Sequence, residues 1–386
     1  MKTARPQSAE RKPAQKASVR LADGRELIYF GARPERPADH PDLRELPPVE
    51  VAPRLRYDPL ADEWVVVASH RRERAFSHGG RNCGSGGDAG CPLCPSTAAS
   101  HTEVPAPVYD VVVFENRFPA LGGPPGPAGS PGLAAETAWI DGPLPQPWAG
   151  RCEVVCFSQD HHAAFADLTP GQAAIVVDAW IDRTAQLSLL PGVQQVYCFE
   201  NRGREIGATL SHPHGQIYAY PFVTPRTSRM LSACTAHRQR TGRNLFDQVV
   251  QSELADGSRV VAAGEHWVAF VPRATRWACE VQLYPVQRVP DLAALPQAAR
   301  AEFCDLYLDV LRRFGRLFGS PAPYIAGVHQ APVRRGREEF ALHVQVFSLQ
   351  RAGGGLQYLA GSELGMGVFA TDVVAEAAAE RLRGLG

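Results

Sequence analysis

The chain reads as an α+β protein built from two similar halves, each an antiparallel sheet carrying a helix, joined into one body. Three observations lead there. Short runs rich in Val, Phe, Tyr and Cys, such as 109–114 and 152–157, read as strands. Leu168-Thr169-Pro170 opens a helix with its own start signals. The same order of strand, helix and further strands then recurs after about residue 226.

Taken in order, residues 1 to about 16 are polar, basic and proline-containing, the composition of a disordered tail. Residues 19–30 read as a hairpin with Asp23-Gly24 at its turn. Residues 31–53 are rich in Pro, Arg and Asp and read as a surface connection, so 1–53 forms a unit of tail, hairpin and connection. The main body then divides into 54–225 and 226–386. It begins with a turn at Arg56-Tyr57-Asp58-Pro59-Leu60 that leads into a strand over 63–68. A glycine-rich loop spans 79–90, and a proline- and glycine-rich exposed loop spans 122–150. In the first helix Thr169 is the N-cap and Pro170 takes the first helical position. Ala174, Val177, Ile181 and Ala185 mark its inward face until Pro191-Gly192 stops it. Residues 196–203 form a strand ending in a polar loop.

The second half repeats this. Cys152-Glu153-Val154-Val155 matches Cys279-Glu280-Val281-Gln282, and Leu168-Thr169-Pro170 matches Ala294-Leu295-Pro296. Phe303, Tyr307, Val310, Phe314 and Leu317 fall at helical spacing. Residues 323–328 stand in for the strand over 196–203, and 342–347 stand in for the segment around residue 214. An alanine-rich helix over 372–383 closes the chain.

Lys+Arg and Asp+Glu balance at 40 each, so net charge gives no pull towards nucleic acid or membrane. Nine scattered cysteines argue against a secreted disulfide framework, and no long apolar run could span a bilayer. The first residues lack the apolar core of a signal peptide, which makes the cytoplasm the expected location.

The chemistry concentrates in Ser211-His212-Pro213-His214-Gly215-Gln216-Ile217-Tyr218. Pro213 fixes its own φ and biases His212 towards extended backbone, so both imidazoles leave the chain in defined directions. Gly215 lets a ligand or another strand come close. Gln216 supplies a neutral amide that holds an oxygen without donating an acidic proton. A neutral histidine is a usable nucleophile towards phosphorus near pH 7. In the second half Gln345 stands where the second histidine would be, which points to one live and one decayed site.

Two further features carry chemistry. The basic run His70-Arg71-Arg72-Glu73-Arg74 offers guanidinium forks that fit phosphate oxygens in pairs. Cys91-Pro92-Leu93-Cys94 is either half a zinc site or a redox pair. No second Cys-x-x-Cys exists, so further metal ligands must be histidines or isolated cysteines, with His101 the nearest in sequence.

His-Pro-His-Gly-Gln resembles the active-site signature of the galactose-1-phosphate uridylyltransferase family, a transferase branch of the histidine-triad superfamily. That resemblance runs from about Arg56 to the C-terminus. It implies a duplicated histidine-triad-like fold and a ping-pong transfer of UMP from UDP-glucose to galactose 1-phosphate. His214 would be the carrier and Gln216 its oxygen-holding partner. It puts Arg71, Arg74 and Asn201 on substrate phosphate, Asn116 and Arg117 on the nucleotide, and Glu200 in the Glu-Asn-x-Gly element beside Asn201. Gly207, Ala208 and Thr209 offer N–H groups and a hydroxyl to phosphate. Gln357, Ser362 and Glu363 belong to an element that reaches the sugar, with Gln357 replacing the family's lysine.

The resemblance also completes a structural zinc site as Cys91, Cys94, His161 and His212. A second metal, bound in some members by a glutamate and three histidines, is expected to be absent or weak. His329 and His343 match two of those histidines, but Gln345 replaces the third and Met230 stands near the glutamate's place. A homodimer is implied as well. Two other readings stay open: a related nucleotidyltransferase or phosphorylase acting on ADP-sugars or dinucleoside polyphosphates, and a non-catalytic, zinc-stabilised nucleotide-binding module.

Overall fold

The computed structural model describes residues 11–33, 39–47, 53–71, 90–122, 150–319, 322–351 and 354–386. The first half contains β1 (Gln15–Arg20), β2 (Glu26–Gly31), β3 (Arg54–Asp58), β4 (Glu63–Val67), β5 (Val111–Glu115), β6 (Arg151–Cys156), α1 (Pro170–Ser188), β7 (Gln195–Arg202) and β8 (His214–Tyr220). Then come α2 (Pro225–Thr241), α3 (Leu245–Asp256), β9 (Val260–Ala263), β10 (Trp267–Phe270) and β11 (Cys279–Pro285). The chain ends with α4 (Gln297–Phe318), β12 (Tyr324–His329), β13 (His343–Ser348) and α5 (Ala375–Arg383).

Eleven strands form one sheet in the order β1-β2-β5-β6-β8-β7-β12-β13-β11-β10-β9. Read outward from the β7–β12 seam, the sequence β7-β8-β6-β5-β2 on one side mirrors β12-β13-β11-β10-β9 on the other. A pseudo-two-fold through the pairing of Glu200 with Ala326 relates the halves. This is the duplicated α+β fold expected. β3 and β4 pair only with each other and lie outside the main sheet.

Strand alternation sorts side chains between two faces. One face packs Val113, Val155, Cys198, Ile217, Val281 and Val346 against α1, α4 and α5 in the principal core. On the other face of the first half, Val112, Val154 and Cys156 pack under the segment around Cys91–Tyr109. In the second half that face packs Val268, Phe270 and Tyr284 under α2 and α3.

Several expectations need correction. Residues 11–16 are ordered: Arg11 binds Asp178, and β1 already starts at Gln15. The strand expected over 63–68 is β4, and residues 56–58, expected in the turn before it, instead end β3; the two strands form a hairpin beside the main sheet. The inward face of α1 is rotated by about one residue: Ala173, Val176, Trp180, Thr184 and Leu187 are buried, whereas Ala174, Ile181 and Ala185 are half-buried. The bulk of Trp180 and the pairing of Arg183 with buried Glu153 at 2.8 Å set that phase.

The sequence match of Glu153 to Glu280 is also off by one residue. Glu153 pairs with Ile217 and points to the helices, while Glu280 pairs with Phe347 and points to the other face. A one-residue slip in a strand turns every side chain over. Helices α2 and α3 carry no periodic signal strong enough to read; α2 buries only Thr227 and Cys234. The tail before residue 11, the loop over 123–149, most of the 79–90 loop and parts of 31–53 lie outside the described residues.

Candidate active site and metal centre

β8 projects His214, Gln216, Tyr218 and Tyr220 to the face opposite the principal core, and sends Gly215, Ile217 and Ala219 into it. Gly215 is held to glycine by its neighbours. A Cβ there would meet the Phe157 ring at 2.7 Å and the Phe199 carbonyl at 2.8 Å, so a ring and a strand, not a ligand, take the space.

The His212 carbonyl accepts from His214 Nδ1 at 2.7 Å. That bond keeps the proton on Nδ1 and turns the Nε2 lone pair outward. Gln216 lies opposite Phe199 on β7, and Asn201 follows two residues later on the same face. Glu200 therefore points the other way. It is buried on the helix side and accepts from the Tyr324 hydroxyl at 2.9 Å, across the seam. The structure does not bring Glu200 to the His214 cluster, because strand alternation separates it from Asn201. Burial pushes its carboxyl up to about 7. Gly203, which ends this strand, has φ +101° and no room for a side chain against Pro323.

Arg71 ends a short helical turn over 69–71, and its charge reaches Cys152 on β6. Arg74 lies outside the described residues. Asn116 uses its side-chain oxygen to accept from Phe118 N at 2.9 Å, so its amide N–H groups are not spent on that bond. Arg117 is committed elsewhere: it donates to the Pro47 carbonyl at 3.0 Å and lies over the Phe118 ring. Gly207 and Thr209 are exposed and Ala208 half-buried in the loop before the motif. Gln357 is buried and donates to the Arg276 carbonyl at 3.0 Å. Ser362 donates to the Val368 carbonyl at 2.8 Å, and Glu363 accepts from Ala360 N at 3.2 Å in an exposed helical turn. These last three belong to the segment after β13.

Cys91, Cys94, His161 and His212 are all buried, and their ligand atoms lie within 4.8 Å of one another. Cys94 Sγ is 3.4 Å from His161 Nδ1 and 3.5 Å from His212 Nδ1. Tetrahedral zinc with Zn–S near 2.3 Å and Zn–N near 2.0 Å sets its ligands about that far apart, so the donor set fits such an ion. Burial, with the neighbouring His214 and His161, pulls His212 down to about 3, the neutral state a ligand needs. On its far side His212 Nε2 lies 2.9 Å from the Tyr109 hydroxyl, which is itself 2.9 Å from the Ser158 carbonyl. Tyr109 thus fixes the ring from behind. No sequence motif marks it, because it reads only as the start of a strand. His101 is exposed and not part of the cluster.

The geometry can be set against known proteins. The galactose-1-phosphate uridyl transferase N-terminal domain model matches residues 44–224, and the C-terminal domain model matches 231–386. A galactose-1-phosphate uridylyltransferase of Streptomyces lividans is 47% identical over 385 residues, covering 95% of this chain and 97% of that one. The Thermotoga maritima relative of that description is 33% identical over 333 residues, 85% and 97% of the two chains. Among solved structures, a uridylyltransferase superposes with a TM-score of 0.71 at 28% identity, over 86% of this chain and 97% of that one. An ADP-glucose phosphorylase from Arabidopsis thaliana shares the fold, with a TM-score of 0.61 at 22% identity over 86% and 98%. Among the described residues no helix is long and apolar enough to cross a membrane.

Proposed function

The chain belongs to the galactose-1-phosphate uridylyltransferase family and is a nucleotidyltransferase of galactose metabolism; we propose that His214 carries the uridylyl group between its two sugar phosphates. The observation that carries this reading is the bond from His214 Nδ1 to the His212 carbonyl. It aims Nε2 as a nucleophile and then shares the positive charge that the ring takes on when substituted.

In the first step the Nε2–Pα bond to UDP-glucose forms and the bond from Pα to the glucose 1-phosphate oxygen breaks. Glucose 1-phosphate leaves, and UMP stays on the ring. In the second step a phosphate oxygen of galactose 1-phosphate attacks the same phosphorus, the N–P bond breaks, and UDP-galactose departs. One phosphoanhydride replaces another, so no external energy source is needed. A covalent carrier splits the exchange into two displacements and gives ping-pong kinetics.

Gln216 holds a non-bridging oxygen of the transferring group from the same strand face as His214. Asn201, Arg71 and the backbone of Gly207, Ala208 and Thr209 hold phosphate oxygens, and Arg74 joins them. Asn116 meets the nucleotide through its amide N–H groups. Arg117 serves chiefly to pack Phe118 and hold Pro47, and Glu200 acts from behind the strand by fixing Asn201. Cys91, Cys94, His161 and His212 hold a zinc ion. With four protein ligands it would have no open position and would be structural. Since His212 also supplies the carbonyl for His214, the metal would tie the nucleophile's orientation to the loop beneath it.

The chain works as a homodimer in the cytoplasm on this reading, with Ser362 and Glu363 reaching the sugar in the partner's site and Gln357, buried on the Arg276 carbonyl, anchoring their segment. Supporting it, the segment around them exposes apolar surface: Tyr358, Leu364 and Met366 are 81%, 72% and 80% exposed. UDP-glucose radiolabelled in the uridylyl group should label the native chain and not His214→Gly. Labelling that survives this substitution rejects His214 as the carrier, and preferential labelling by ADP-glucose rejects the uridine assignment.

A further inference from the structure

In the second half, the corner that corresponds to His214 and Gln216 is filled, and what fills it leads out to the surface. Gln345 stands in the place of His214 and Phe347 in that of Gln216. Glu280 takes the place of Val154, because it pairs with Phe347 as Val154 pairs with Gln216. A second metal of the kind the family resemblance raises does not fit here: the Gln345 amide is spent on Glu280, and Met230 packs with apolar residues. A carboxylate buried in a sheet is costly unless it is well hydrogen-bonded. Glu280 is 3% exposed, and both its oxygens are served. Oε1 accepts from Gln345 Nε2 at 2.7 Å and Gln282 Nε2 at 3.0 Å, both side chains of the sheet. Oε2 accepts from Thr275 Oγ1 at 3.1 Å and Arg276 N at 3.0 Å, both in the segment before β11. One carboxylate thus ties that segment to the sheet.

The same segment holds an arm, residues 357–369, by both of its ends. At the first end the Arg276 carbonyl accepts from Gln357 Nε2 at 3.0 Å, and the Leu349 carbonyl accepts from Gln357 N at 2.6 Å. At the other, Trp277 meets the Phe369 ring edge to face with centroids 5.3 Å apart, and the Arg276 guanidinium lies 5.3 Å from the centre of that ring. The indole also stacks on Phe347, with centroids 4.5 Å apart and planes 16° from parallel. Between its ends the arm closes on itself. Ser362 Oγ donates to the Val368 carbonyl at 2.8 Å, and Val368 N donates to the Ser362 carbonyl at 3.1 Å. Tyr358, Leu364, Met366 and Val368 are exposed. A loop that buries so little of its own apolar surface takes its position from its ends.

Both ends of the arm therefore converge on Arg276 and Trp277, and those two are held in turn by Glu280 and Phe347. We propose that the filled corner of the second half is the anchor of this arm. Gln345, through Glu280, fixes the backbone that receives Gln357, and Phe347, through Trp277, fixes the ring that receives Phe369. The positions that carry the nucleophile and the amide in the first half are positioning residues in the second. The consequence for catalysis rests on the reading that Ser362 and Glu363 reach the sugar in the partner's site. On that reading the anchor sets the affinity for both sugar phosphates and leaves the chemistry of His214 alone.

Trp277→Leu in the full chain removes both ring contacts and tests the anchor. Amide hydrogen exchange over 358–368 should speed up by about tenfold or more while the sheet keeps its protection. KM for UDP-glucose and for galactose 1-phosphate should rise about tenfold, the scale of ordering one or two side chains anew, with kcat nearly unchanged. Trp277→Phe keeps a ring for Phe347 and Phe369 and should restore most of both readouts. Exchange in the arm that stays the same, or that rises equally throughout the chain, overturns the anchor whatever KM does. Faster exchange confined to the arm with unchanged KM keeps the anchor and rejects the arm's reach to the sugar. If Trp277→Leu does not fold, Phe369→Ala, from the arm's side of the same contact, carries both readouts.

Discussion

Equivalent corners of the two halves carry different side chains on nearly the same backbone. Across the pseudo-two-fold, His214 corresponds to Gln345, Gln216 to Phe347, and Asn201 to Gly327. In the first half these positions leave an imidazole, an amide and a second amide on one face. In the second half each is turned to packing. Gln345 donates to buried Glu280 at 2.7 Å, and Phe347 stacks on Trp277 with centroids 4.5 Å apart. Gly327 has no side chain, since a Cβ there would collide with the Tyr197 hydroxyl. The scaffold does not decide between an open polar corner and a filled one; three side chains do. The Cys/His donor set adds a second difference. His212 stands against Cys94, whereas the second half keeps His343 stacked in an aromatic layer.

The comparison breaks most visibly at His214. His214→Gly should lower turnover by on the order of 10⁴-fold or more, as loss of a covalent nucleophile does. Steady-state product analysis after mixing UDP-glucose with galactose 1-phosphate reads it directly. Making the halves alike at the next position, with Gln216→Phe, should cost about 10²–10³-fold in turnover, the scale of one preorganised oxygen-holding donor. Labelling of His214 should persist but slow, so a variant that turns over normally would contradict the role given to Gln216.

A pH test sharpens the contrast between seam and second half. Glu200 titrates at about 7 in the fold, above its ordinary 4.5, because it is buried. Its contribution is fully present below pH 4.5 and is lost as pH rises to about 7. His343 has the opposite sign: burial holds it at about 3, so its contribution is present above 6.5 and is lost as pH falls. Denaturant midpoints of Glu200→Gln between pH 5 and 8 should lose the first slope and keep the second. The smallest effect belongs to Gln345→His. Restoring an imidazole there should create no second labelled site, because Gly327 and Phe347 still lack the amides that hold phosphate oxygens.

Much of this was legible in the residues. His-Pro-His-Gly-Gln sets its geometry locally, because proline and alternation set where the imidazoles point. Cys91-Pro92-Leu93-Cys94 supplies half of the Cys/His group that could hold a metal, and Thr169-Pro170 announces a helix start that the structure keeps, with Thr169 accepting from Gln172 N. The repeat could be seen from its order of elements, although not its register.

Other features depend on contacts between distant segments, and no local pattern encodes those. Glu200 is separated from Asn201 by one step of alternation, yet only the seam with Tyr324 shows that the helix side is the buried one. The phase of α1 follows from Glu153 reaching Arg183, and the register of Glu280 from its pairing with Phe347. Helix α2 was silent because its inward side buries only Thr227 and Cys234. Local stereochemistry determined which groups the chain could offer. Tertiary packing decided which of them meet, because pairing and burial act between residues that the sequence keeps far apart.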